Sequence, residues 1–197
     1  ALTVHFKGPS PAEVQSLIRQ AIANPAEPDD PGPRAAYIAP PRDGWITVFP
    51  SAALFFDLLD AAADAGTPGH LIAFRLHDSD VLNYWYFRDG GEHDYFNSCP
   101  DYFGDAEQNE MEASGDPDAF ADLLAPDARK AWASLIATRM INGEIVGDGP
   151  EFDFEDERLI AMMKALGIVG DPSAFEYLED GESAGALGDA SAMQRIE

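Results

Sequence analysis

Residues 70–103 read HLIAFRLHDSDVLNYWYFRDGGEHDYFNSCPDYF and hold three of the four His and the only Cys of the chain. Three runs in this stretch, 71–77, 81–88 and 92–97, are rich in β-branched and aromatic residues. They are separated by His77-Asp78-Ser79-Asp80 and by Asp89-Gly90-Gly91. Such spacing predicts a three-strand meander, with the glycines supplying the tight second turn. A meander needs more strands and a helical cover to bury a face, and both lie upstream.

Residues 2–7 alternate as a short strand, and Ser10-Pro11-Ala12-Glu13 then carries a helix start. Ser10 can cap, Pro11 suits the first helical position and Glu13 completes a capping box. Val14, Leu17, Ile18, Ala21 and Ile22 recur at helical spacing over residues 11–23. Four prolines in 24–34 predict a loop. Residues 35–39 and 45–49 then read as a hairpin. Ser51 is placed to cap a second helix striped by Leu54, Phe55, Leu58, Leu59 and Ala62, which Gly66-Thr67-Pro68-Gly69 stops. The fold class that follows is α+β: a mainly antiparallel sheet of about five to six strands with two helices on one face.

Beyond Phe103 the chain turns acidic. Residues 104–116 read as a solvated loop, Asp116-Pro117 opens a helix through Leu124, and Pro126-Asp127 opens another with Ala131, Trp132, Leu135, Ile136 and Met140 at core spacing. Asn142-Gly143 is expected to end that helix. An acidic connector follows, then a helix over 157–166 stopped by Gly167; Ala-Phe-Glu-Tyr-Leu at 174–178 fits strand or helix equally. The domain plan is a sheet core over 1–103, a helical acidic extension over 104–180 packed on the same domain, and a flexible tail over 181–197.

Charge is the extreme quantity: 36 acidic against 12 basic residues, a net charge of −24. Residues 1–100 carry 13 acids and 6 bases, whereas 101–197 carry 23 and 6. Such a field repels phosphate backbones and anionic membranes and attracts basic proteins or cations, so direct nucleic-acid binding and membrane binding are not expected. A salt-adapted or GC-rich source would produce the same composition. The single Cys99 rules out an intrachain disulfide and a cysteine-rich zinc site. No apolar run approaches the roughly 18 residues of a membrane span, and the first residues lack a signal-peptide layout, so a cytoplasmic protein is expected. The chain has no nucleotide loop, zinc spacing or nucleophile elbow.

Two groups of residues remain as candidate sites. His77, Asp78, Asp80, Asp94, Asn97 and Asp101 are polar residues near strand ends that a meander can bring to one end of the sheet. Asp78 and Asp80 beside an imidazole suit a divalent cation or acid–base roles, although Asp residues between strands commonly serve the turn itself. A thiolate pair of Cys99 with His93 or His77 is the weaker chemistry, and a buried inert thiol the better expectation. The second group is a face. Along 81–88 one side carries Val81, Asn83, Trp85 and Phe87, expected as core; the other carries Leu82, Tyr84, Tyr86 and Arg88, flanked by Arg75 and His77. Left open, the Arg75, Tyr84, Tyr86 and Arg88 face is a partner surface; covered by the C-terminal helices, it is a second core.

The runs Gly44-Trp45-Ile46-Thr47-Val48, His77-Asp78-Ser79-Asp80-Val81-Leu82 with Tyr84 and Tyr86, Tyr95-Phe96-Asn97-Ser98 and Pro100-Asp101-Tyr102-Phe103 resemble motifs of an uncharacterised bacterial family of small acidic proteins. Leu166-Gly167-Ile168 and Phe175-Glu176-Tyr177-Leu178 are similar to its C-terminal part. The resemblance marks 70–103 as a family signature and lends no catalytic residue. The leading expectation is a non-enzymatic, acidic protein-binding module, immunity-like or regulatory, that engages a basic protein partner and needs no cofactor. The alternatives are a divalent-metal-binding protein or metal-dependent hydrolase using Asp78, Asp80, Asp94 and Asp101, and an acidic mimic of nucleic acid.

Overall fold

The computed structural model describes residues 1–26, 32–104, 107–170 and 173–197. In chain order the elements are β1 (Leu2–Lys7), α1 (Pro11–Ala23), β2 (Ala36–Ile38), β3 (Ile46–Pro50), α2 (Phe55–Asp64), β4 (His70–His77), β5 (Val81–Arg88) and β6 (Gly91–Asn97). After these come α3 (Gln108–Glu112), α4 (Pro126–Ile136), β7 (Thr138–Ile141), β8 (Glu144–Gly147), α5 (Glu155–Leu166), α6 (Phe175–Glu179) and β9 (Gln194–Ile196). Seven strands form a mainly antiparallel sheet in the order β6-β5-β4-β1-β3-β2-β9, while β7 and β8 form a separate pair. The fold is thus α+β, with one strand more than the largest expected number. The chain divides into two compact units, residues 1–73, 86–92 and 169–197 in the first and 74–85 and 93–168 in the second.

The first unit follows its local signals closely. The capping box at α1 is complete, with Ser10 Oγ accepting from Glu13 N and the Glu13 carboxylate accepting from Ser10 N at 2.7 Å. Val14, Leu17, Ile18 and Ala21 are its buried face. In the sheet, His5 pairs with Thr47, Val4 with Val48, and Tyr37 with Phe49. Paired residues share a face, so His5, Thr47, Phe49 and Tyr37 lie on one side and Val4, Val48 and Ile38 on the other. Tyr37 and Phe49 pack with Phe175, Leu178, Ala184 and Leu187, which decides the ambiguous 174–178 segment as helix α6 with Phe175 and Leu178 turned inward and Tyr177 exposed.

Two local readings change. Ser51 caps nothing: its Oγ accepts from Ala35 N at 3.3 Å and donates to Pro33 O, and a 3-10 turn at Ala52–Leu54 precedes α2. Within the 181–197 tail, Gln194–Ile196 pairs antiparallel with β2, seating Ile196 in the core at 4% exposure. Of the proline-rich loop expected over 24–34, residues 27–31 lie outside the described residues, and 24–26 and 32–34 hold no helix or strand.

In the second unit Tyr84 is the hub of an aromatic core. Its ring centroid lies 5.5 Å from Phe96, 5.8 Å from Phe120 and 5.3 Å from Trp132, and all four side chains are fully buried. Gly115 passes over this cluster with φ +73, and a Cβ there would stand 2.5 Å from the Tyr84 hydroxyl and 3.0 Å from Ile136 Cδ1. Tyr84 cannot retreat from the packed rings. Gly115→Ala is expected to cost about 1–3 kcal/mol, from strain at positive φ plus overpacking, read as a lower urea midpoint with an unchanged slope.

The acidic half departs further from its reading. Residues 104–116 include the short helix α3 and a bridge between Phe96 and Ser114, not one solvated loop. The helix from Asp116-Pro117 is only a 3-10 turn, Pro117–Phe120, capped by Asp116. Asn142 and Gly143 do not end α4, which stops at Ile136. With φ of 54 and 74 they form the tight turn of the β7–β8 hairpin, whose register pairs Met140 with Ile145 and Ile141 with Glu144. Met140, expected in the core, is 43% exposed.

Candidate functional site

The expected turn between β4 and β5 is built by the acids themselves. Asp78 and Ser79 take φ of 48 and 64, and Asp80 N donates to His77 O at 3.0 Å. Positive φ at both central positions is the turn that matches strand twist. His77 Nε2 stands 3.3 Å from Asp78 Oδ2, and its ring packs on Phe103 at 4.9 Å.

Next to this turn a cleft of about 220 Å³ opens, lined by Ser79, Asp80, Ser98, Cys99, Tyr102, Met140, Phe152, Asp153 and Glu155. Each wall has a local cause. Ser98 Oγ accepts from Leu82 N at 2.9 Å, holding the strand exit to β5. Asn97 Oδ1 accepts from Cys99 N at 3.0 Å, and Asp101 Oδ2 accepts from Asn142 N at 2.7 Å, tying the 97–101 loop to the hairpin turn. Tyr102 donates its hydroxyl to Asp80 Oδ2 at 3.3 Å. Glu155, first residue of α5, donates its backbone N–H to Ser79 O at 2.8 Å. Its carboxylate pairs with Arg158 Nε at 3.1 Å, and Arg158 donates to Thr138 O at 2.9 Å beneath the Phe152 ring.

The polar candidates are therefore only partly assembled. Asp80 lines the cleft, and Asn97 and Asp101 build its wall. Asp94 does not line it: its carboxylate accepts from the Tyr84 hydroxyl at 2.5 Å and from Asp116 N at 2.9 Å, and burial raises its pKa. The partner face is inverted. Tyr84 and Tyr86 are both fully buried, Tyr84 under Phe120 and Trp132 and Tyr86 with its hydroxyl 2.8 Å from His70 Nδ1, so neither can meet a partner. Arg75 lies 5.9 Å over the Phe103 ring, and Arg88 is partly exposed. The partly open aromatics are Trp85 and Tyr95, stacked at 5.2 Å on the side expected to be core.

Cys99, expected as a buried thiol, is partly exposed and lines the cleft. Burial, and then the carboxylates of Asp101, Glu155 and Asp80, push the Cys99 pKa up, the opposite of what a reactive thiolate needs. Among the described residues no group of three or more His, Cys, Asp and Glu side chains has a metal-ligating arrangement, and no helix is long and apolar enough to cross a membrane. What the cleft does offer is the exposed acids Asp80 and Asp153 beside apolar surface: Tyr102 is 41% exposed and Met140 43%, and Phe103, 68% exposed, packs against Tyr102 at 5.0 Å. The cleft walls Phe152, Asp153 and Glu155 carry no motif of their own in the sequence, whereas Tyr102 and Phe103 fall in the Asp101-Tyr102-Phe103 run, and the Asn142-Gly143 dipeptide was the available sign of a hairpin.

Compared with protein-family models, with curated proteins and with solved structures, the chain matches none. The site is thus read from its geometry alone.

Proposed function

We propose that this chain is a non-enzymatic, acidic protein-binding module that engages a basic protein partner through the cleft of its second unit. One observation carries the reading: the exposed acids Asp80 and Asp153 line a cleft together with the exposed Tyr102 and Met140, and the exposed Phe103 packs against Tyr102 at 5.0 Å. Lys and Arg side chains carry a charged head on an apolar stem, and aromatic faces attract such cations by about 0.5–2 kcal/mol each. The net charge of −24 adds long-range attraction for a basic partner, which speeds encounter and fades with salt.

A fluorescent arginine-rich nonapeptide serves as the test ligand. Its affinity is expected to fall at least tenfold between 50 and 300 mM salt, and about fivefold in Asp80→Asn/Asp153→Asn. The control Asp60→Asn/Asp64→Asn, which removes the same charge from exposed positions of α2, is expected to change it by less than twofold. Equal losses in the two double variants would reduce the effect to net charge and overturn the cleft as the site.

A further inference from the structure

The β7–β8 hairpin leaves a strand edge open. Among the described residues β8 is paired only with β7, and all four of its residues are exposed. The direction of its backbone groups follows from two bonds on β7. Met140 N donates to Ser98 O at 2.8 Å and Thr138 O accepts from Arg158 at 2.9 Å, so both residues turn their backbone groups away from β8. In an antiparallel ladder, residues opposite each other are alternately bonded and not bonded. Met140 and Ile145 are therefore a non-bonded pair, and the N–H and C=O of Ile145 point outward along the free edge of β8.

Met140 and Ile145 also share a face, and Met140 lines the acidic cleft. Val146 lies on the opposite face across from Arg139, whose guanidinium donates to the carbonyls of Met111 and Ala113 at 3.1 and 3.2 Å. That cation is committed to the backbone and offers nothing to the edge. Native proteins blunt exposed edges with lysine, proline or a cover. The edge of β8 is short and carries Glu144, which keeps it from pairing freely, yet its middle residues are Ile145 and Val146. From Glu144 to Glu157 the chain has seven acidic residues and no basic one, so a basic strand is the fitting partner.

We propose that β8 is a docking edge for an extended segment of the basic partner, which adds to the hairpin as a third strand. The inference rests on the proposed function and names the mode of that binding. An added strand takes its main-chain bonds from Ile145 and turns every second side chain toward the cleft face beside Ile145 and Met140. Lysine or arginine at those positions meets the exposed carboxylates of Asp80 and Asp153. A second copy of this chain is not the occupant, because pairing two β8 edges brings the same run of seven acids against itself.

The experiment follows the Ile145 amide by NMR in the full chain, titrated with a blocked octapeptide of alternating lysine and valine. Binding is expected to slow exchange of the Ile145 amide with solvent at least tenfold. A glutamate–valine octapeptide is expected not to bind. Ile145→Pro removes the outward N–H where an edge tolerates proline, and is expected to weaken the lysine–valine peptide at least tenfold. Salt-sensitive binding of that peptide with an unchanged Ile145 amide would overturn strand addition and leave the binding of basic protein standing. Failure of the lysine–valine peptide while the arginine-rich nonapeptide binds would overturn it equally. Failure of both peptides would overturn the proposed function as well.

Discussion

Arg158→Leu is expected to destabilise the protein by about 3–5 kcal/mol, because it leaves a carboxylate without its ion partner in a largely dry place. Arg158 is 3% exposed, pairs with Glu155 at 3.1 Å, donates to Thr138 O, and lies 4.7 and 5.5 Å over the rings of Phe152 and Phe96. The Glu155 side chain is itself only 12% exposed. Burial raises the Glu155 pKa, while Arg158 and the Ser98 hydroxyl hold it down. Without the guanidinium, Glu155 either stays charged at a high cost or takes up a proton, and the cleft loses a negative charge. The double variant Arg158→Leu/Glu155→Gln separates charge from packing, since a neutral amide removes the stranded anion. Urea unfolding at pH 7 should show the double variant more stable than Arg158→Leu alone. A single-variant loss below about 1 kcal/mol, the size of an exposed pair, would mean the pair is effectively solvated.

That ion pair was invisible in the sequence, and the reason is general to this half of the chain. Glu155 sits in Glu-Phe-Asp-Phe-Glu-Asp, which composition alone reads as an acidic connector, and Arg158 stands in the first turn of the expected helix as one charged residue among several. Burial there comes from tertiary packing that no local period records. Several purely local signals stand, although the expected cap at Ser51 does not. The capping box at Ser10, the Asp89-Gly90 turn and the three-strand meander all stand where pattern placed them. Asn142-Gly143 carried an equally local signal, but a preceding helical stripe that extended to Met140 led to its reading as a helix stop. The register of β7 and β8 shows the competing principle that won: two residues at positive φ suit a hairpin turn at least as well as a helix end.

The two faces of β5 make the same point about the site. Alternation separates Tyr84 and Tyr86 from Trp85 and Phe87, but period alone cannot say which side is covered. Phe120 and Trp132, from a 3-10 turn and α4, settle it by closing over Tyr84. Of the polar candidates, Asp78 serves the turn, Asp94 serves the aromatic core, and Asp101 holds the hairpin turn, which leaves Asp80 as the one facing the cleft.

Acidification should destabilise the protein through a single buried imidazole. His5 is completely buried between two threonines, with Nδ1 3.0 Å from Thr47 Oγ1 and Nε2 3.0 Å from Thr3 Oγ1, and burial lowers its pKa from 6.5 to about 3. Above pH 6.5 the ring is neutral in both the folded and the unfolded chain and contributes no pH dependence. Between 6.5 and 3 the unfolded chain binds a proton that the folded one refuses, so stability falls as pH falls. The slope approaches about 1.4 kcal/mol per pH unit and halves as pH nears 3, a loss of about 3 kcal/mol on going from pH 7 to pH 4 and about 4 kcal/mol at pH 3. Asp94 and Glu155, whose pKa values burial raises, act in the opposite sense, because the fold takes up their protons ahead of the unfolded chain. His5→Gln isolates the term: an amide can still bridge the two threonines but does not titrate. The difference in unfolding free energy between the native protein and His5→Gln should be flat above pH 7 and should slope steadily below 6.5, with Asp94 and Glu155 cancelling because both proteins carry them. Parallel curves from pH 7 to pH 4 would show that His5 is protonated inside the fold, paired in a way its neutral geometry does not provide.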